Sequence, residues 1–146
     1  MKPHNFTRTT CACENCVRCC KRQPGALAAG DYERIRLYLQ ATDNELQSKL
    51  CASPGSIIKR IDTGRTERVG SITPRMHKGR CVFLDEHDRC SIHAVAPFGC
   101  SMFDTHMNLA TAHPRSVWMA RSNMDADYQQ LRRVLPYARS YKPSVY

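Results

Sequence analysis

Five cysteines crowd into ten positions near the start of the chain, at Cys11, Cys13, Cys16, Cys19 and Cys20, in the run CACENCVRCC. A Cys-x-x-Cys step lets two sulfurs converge on one ion across a tight turn, and two such steps run in tandem from Cys13 through Cys16 to Cys19. This crowding suits a disulfide scaffold, a thioredoxin-like redox pair, a structural metal knuckle, or a metal or cluster that does chemistry. The cysteine count of nine is odd, so a closed disulfide framework leaves one thiol unpaired. Side chains of adjacent residues point apart, so Cys19 and Cys20 do not both suit one relaxed tetrahedral site. One of them serves a second ion, bridges two metals or stays a thiol.

Three further cysteines, Cys81, Cys90 and Cys100, follow much later in the chain. One ion takes four ligands, and the two groups supply more than that. With His93 or Asp104 as an additional ligand they fill two tetrahedral sites; a single four-cysteine centre with spare thiols is equally compatible. Cys51 stands alone and reads as a small buried hydrophobe, and Cys11 as a bystander. His4, His77, His87, His106 and His113 show no ligand spacing.

Around the cysteines, Pro24, Gly25 and Gly30 predict a loop that delivers the chain to a helix with Asp31 as its N-cap. In DYERIRLYLQ the residues Tyr32, Ile35 and Leu39 recur at helical spacing. Thr42 and Glu45 form a capping-box pattern for a second helix carrying Leu46 and Leu50, stopped by Ser53, Pro54 and Gly55. Residues 56–80 suggest short irregular strands or a long loop. RCVFL and RCSIH, separated by DEHD, predict a hairpin with Cys81 and Cys90 near its two arms. Pro97 and Gly99 then turn the chain before Cys100. Beyond Asp104 there is no cysteine, and DADYQQLRRVL predicts a short helix ended by Pro136, with Tyr128, Leu131 and Leu135 on one face. The expectation is an α+β fold, a small metal-stabilised domain with short helices, a β-hairpin and irregular cysteine-rich loops. Residues 1–104 form the cysteine-cluster metal-binding domain and 105–146 a C-terminal appendage.

At 146 residues the chain is the size of one domain. It has no apolar run of the roughly 18 residues that a membrane span needs, and its start lacks the apolar stretch of a secretory signal. A cytoplasmic location is expected, where thiols stay reduced and clustered cysteines favour metals over disulfides. The formal net charge of +9 fits nucleic acid, an anionic substrate or an acidic protein partner. Ligation tempers it, because each four-thiolate site around a divalent ion lowers the net charge by two. The arginines are scattered instead of forming one stripe. Neither GxGxxG nor GxxxxGK[ST] occurs, so no recognisable nucleotide loop is present.

CENCVRCC followed by GRCVFLDEHDRCSIHAVAPFGCSMFD resembles the YkgJ-type cysteine-cluster proteins, zinc- or iron-chelating domains named for a CxxCxxCC motif. The resemblance covers approximately residues 13–104. It implies metal ligation at Cys13, Cys16, Cys19, Cys20, Cys81, Cys90 and Cys100, with zinc, iron or an iron–sulfur cluster in one or two centres. Two positions depart from the pattern: Ala96 stands before the proline and Ser101 after the last cysteine, where members of this family commonly carry basic residues. A related module in flagellin lysine methylases implies an alternative, a metal-dependent enzyme acting on a protein or small molecule. A basic zinc module that binds nucleic acid is a further alternative.

Overall fold

The computed structural model describes residues 3–9, 18–59, 61–104 and 106–138, with only the backbone described at positions 18 and 19. Its centre is a long antiparallel hairpin. Strand β1 (Leu50–Lys59) pairs with β2 (Thr66–Pro74) from Leu50 opposite Pro74 to Lys59 opposite Thr66. The expected second helix therefore ends earlier than predicted, and Leu50 opens a strand. Pro54 and Gly55 do not stop the strand either. They sit where the register shifts between Ser53 and Ser56, a bulge that absorbs a proline without a ladder hydrogen bond. Gly55 has φ 74°, and a Cβ there would lie 1.8 Å from the Val69 carbonyl oxygen, so glycine is required at this bend.

Helices surround the hairpin. Helix α1 spans Arg18–Arg22, α2 Asp31–Leu39 and α3 Asp43–Gln47. The Thr42 hydroxyl accepts from the Glu45 amide at 3.2 Å, as the capping-box pattern predicts. The N-cap of α2 is Gly30, in the left-handed region at φ 91°, and not Asp31, whose carboxylate is buried and committed elsewhere. Two short strands, β3 (Met76–His77) and β4 (Arg80–Cys81), precede a 3-10 turn at His93–Val95 and helix α4 (Phe98–Ser101).

The hairpin expected from RCVFL and RCSIH shrinks to an isolated bridge between Leu84 and Cys90. The Asp85 carboxylate accepts from the amides of His87 (2.8 Å) and Arg89 (2.9 Å), so a side-chain-built turn takes the place of a longer ladder. Helix α5 (Leu109–Ser122) was not expected. Asn108 caps it by accepting from the Thr111 amide at 2.9 Å. Helix α6 (Ala126–Val134), capped by Asp125, falls where the periodicity predicts and turns Tyr128 inward. The fold class is α+β, as expected. Among the described residues no helix is long and apolar enough to cross a membrane.

The main core joins Leu27, Ile35, Leu46, Leu50, Ala52 and Ile72 to Cys81, Phe83 and Ile92, and is roofed by Tyr128 and Leu135. A second cluster gathers Ala26, Phe98 and Met119 with Phe6, Phe103 and Trp118. Here the N-terminal segment docks, since Arg115 donates to the Thr7 carbonyl at 3.0 Å and the Thr9 amide donates to Ser101 at 2.9 Å.

Tyr128 couples helix to hairpin. Its hydroxyl donates to the Leu27 carbonyl and accepts from the Ile72 amide, both at 2.7 Å, and burial pushes its pKa up. Phenylalanine at this position strands a buried acceptor and a buried donor together. Tyr128→Phe should therefore cost about 2–4 kcal/mol of stability, measured by urea unfolding; a loss near zero would show that these backbone groups find other partners.

Candidate metal centre

The centre is assembled by close backbone approaches. The chain leaves α1 through Pro24 and Gly25 and crosses directly over Gly99. A Cβ on Gly25 would lie 2.1 Å from the Gly99 carbonyl carbon, and one on Gly99 would lie 2.4 Å from the Ala26 nitrogen. Only two glycines permit this crossing. It is pinned by the Gly99 amide donating to the Ala26 carbonyl at 2.8 Å. It also sets Cys100 beside the exit of α1, where the Gly25 amide donates to its sulfur at 3.2 Å.

Helix α1 lies against β4, which ends in the buried Cys81. The bridge from Leu84 to Cys90 folds the half-buried Cys90 back toward the same place. Burial pushes the thiols of Cys81, Cys90 and Cys100 upward. Charge repulsion adds to this at two of them: Cys90 acts on Cys81, and Cys20, Cys81 and Cys90 act on Cys100. Thiols that raise one another's pKa share one neighbourhood. Cys100 borders solvent at the residue level, yet its sulfur is enclosed against Gly25. Soft sulfur donors that resist ionisation without a counter-charge are the ligand type that zinc and iron take.

Two devices that sequence spacing did not reveal hold these segments. Asp88 bridges Lys21 (2.9 Å) and Arg80 (2.5 Å), and Arg80 also donates to the Asp85 carbonyl at 2.7 Å. Lys21 follows Cys20, Arg80 precedes Cys81, and Asp88 lies two residues before Cys90. This ion triad thus clasps three cysteine-bearing segments from outside. The Lys21 ammonium, and then Arg80, hold the Asp88 carboxyl below the usual carboxylate range.

The second device is Asp31. Its carboxylate accepts from the amides of Ala28 and Phe98 and from Arg34, each at 2.8 Å, which fixes the start of α4 ahead of Cys100. Burial still raises its pKa against those bonds. Arg34 also donates to the Ala96 carbonyl at 3.2 Å, so a cation does reach position 96 although alanine occupies it. The sequence signal for Asp31 was the acidic residue at a helix start, which also describes an ordinary cap.

The remaining candidates divide clearly. Cys11, Cys13 and Cys16 lie outside the described residues, and position 19 is placed as backbone in α1. Cys51 is buried on the hairpin, its sulfur 3.4 Å from the Thr73 hydroxyl, in the manner of a core thiol. His93 is exposed, its carbonyl accepting from Arg8. Asp104 accepts from the His106 amide at 2.6 Å. Among the described residues, no three His, Cys, Asp or Glu side chains by themselves form a set that could hold an ion.

Comparison with known families gives one match, over residues 12–128, to the CxxCxxCC family, described as "Putative zinc- or iron-chelating domain". The match takes in both cysteine groups and runs on through α5 to Tyr128. No curated protein and no solved structure matches the chain. With the tandem knot, the three distant cysteines and most of the chain inside the matched span, the protein belongs to the CxxCxxCC family of zinc- or iron-chelating domains.

Proposed function

We propose that this chain is a cytoplasmic metal-binding protein that holds zinc or iron in two centres through Cys13, Cys16, Cys19, Cys20, Cys81, Cys90 and Cys100. The observation that carries this reading is the convergence of α1, β4, the Cys90 bridge and α4, which brings Cys20, Cys81 and Cys90 within charge reach of Cys100, and Cys90 within charge reach of Cys81. One ion takes four ligands, and Cys20, Cys81, Cys90 and Cys100 do not form such a set by themselves; with Cys13, Cys16 and Cys19 of the knot the cysteines number seven, more than one ion takes. A second centre follows from that surplus. Bound there, the metal would supply the positive charge that lets these thiols ionise together and would crosslink segments distant in sequence.

The test is anaerobic purification followed by elemental analysis and an absorption spectrum. The expected result is two ions of zinc, or the corresponding iron, per chain, with visible charge-transfer bands marking an iron–sulfur cluster and a colourless protein marking zinc. Protein that stays metal-free after growth and purification in both zinc- and iron-supplemented media overturns the reading.

A further inference from the structure

The hairpin has a face that the metal reading leaves unused. Along β2, positions 68, 70 and 72 share one face, because side chains alternate along a strand. At the base of this face Ile72 is buried in the main core, near Tyr128 of α6. One step outward lies Gly70, against which Arg132 of α6 is laid: a Cβ there would fall 2.1 Å from the Arg132 guanidinium carbon. Arg132 is locked by bonds from Nε and Nη2 to the Ser53 carbonyl at 3.2 and 2.8 Å. The same guanidinium sits 5.5 Å from the ring centre of Tyr137, whose hydroxyl accepts from Nη2 at 2.9 Å.

Beyond Arg132 the face is open. Ile57 pairs with Arg68 and Lys59 with Thr66, and all four are exposed. The opposite face of the same ribbon is closed by Ile58 and Val69 against Ala120 of α5. The open face therefore carries Lys59, Arg68 and Arg132, with no carboxylate among its paired residues, and ends in a tyrosine that is 60 % exposed.

We propose that this face binds single-stranded nucleic acid, independently of the metal centre. The three cations follow a phosphodiester backbone along the ribbon, while the Tyr137 ring, backed by Arg132, offers a π surface to a base. That planar aromatic end is what favours a nucleic acid over an acidic peptide, which the charges alone would also attract. Ile57 supplies apolar contact to a neighbouring sugar or base.

The experiment uses the full, metal-loaded chain and fluorescence anisotropy with labelled thymidine and uridine oligomers of about 12 nucleotides, a length suited to one stacking groove; the two oligomers separate DNA from RNA. Log affinity should fall with log salt at a slope of about −2 for three phosphate contacts, and at about −0.7 in the Lys59→Ala/Arg68→Ala variant. Tyr137→Ala should weaken binding roughly tenfold while Tyr137→Phe retains it. Gly70→Ala, which displaces the Arg132 guanidinium without changing charge, should weaken binding too. Metal content equal to wild type confirms that each variant is folded. Tighter binding of duplex, affinity for anionic vesicles or polyglutamate but not for the oligomers, or variants indistinguishable from wild type would overturn the assignment.

Discussion

Removing the metal should lower the melting temperature by about 10–20 °C, and restoring zinc or iron should recover it. Apparent binding free energies of structural zinc are on the order of 10 kcal/mol, comparable to the stability of a whole domain. A loss of even half that energy corresponds to roughly 10–20 °C in a chain of this size. The crosslinks explain why the effect is large: Cys20 on α1, Cys81 at the end of β4 and Cys100 on α4 belong to elements that are otherwise only two to five residues long. Helices and strands of that length have little stability of their own. The long hairpin with α2 and α6, whose core centres on Leu27, Ile72 and Tyr128, should melt last. Calorimetry before and after chelation, with removal verified by elemental analysis, is the measurement. An unchanged melting curve would refute a structural role for the metal.

The second large effect is on metal content itself. Serine is a much poorer ligand for soft metals than cysteine, so Cys81→Ser, Cys90→Ser and Cys100→Ser should each lose metal, whereas Cys51→Ser should keep the wild-type amount. Cys19 and Cys20 make the sharper comparison. Both fall in α1, and the side chains of adjacent residues do not both suit one relaxed tetrahedral site. With two centres, Cys19→Ser and Cys20→Ser should each retain about half of the metal, since each damages one four-ligand site. Elemental analysis of both variants beside wild type decides the matter. Full loading of both would remove the CC pair from the ligand set, and a Cys51→Ser loss as deep as that of Cys90→Ser would redraw it.

What could be read from the sequence tracks the kind of force involved. Helix α3 was legible because a side chain at its start satisfies a backbone amide, Thr42 on Glu45, and α6 because Tyr128, Leu131 and Leu135 recur at helical spacing before Pro136. The β1–β2 hairpin was not, because Ser53-Pro54-Gly55-Ser56 carries the local chemistry of a turn, while the register shift that admits it into a strand depends on the partner strand. Helix α5 escaped for another reason. Its buried side is made of Ala112, Arg115, Ser116, Met119, Ala120 and Ser122, with Pro114 inside the helix, so no apolar stripe marks it. Cysteine spacing pointed to the candidate site because ligand geometry is local. The clasp of Lys21, Arg80 and Asp88 and the brace of Asp31 are contacts between segments, and charged residues of that kind look like ordinary surface until the chain is folded.

The Gly25–Gly99 crossing also sets a schedule for synthesis. Cys100 reaches the exit of α1 only when the chain around Gly99 has been made, because that contact is backbone against backbone and has no earlier substitute. Eighty residues separate Cys20 from Cys100. At ordinary translation speeds this is an interval of roughly 4–16 s. Throughout that interval the knot leaves the ribosome as a run of thiols without its later partners, exposed to oxidants and to any soft metal in the surroundings.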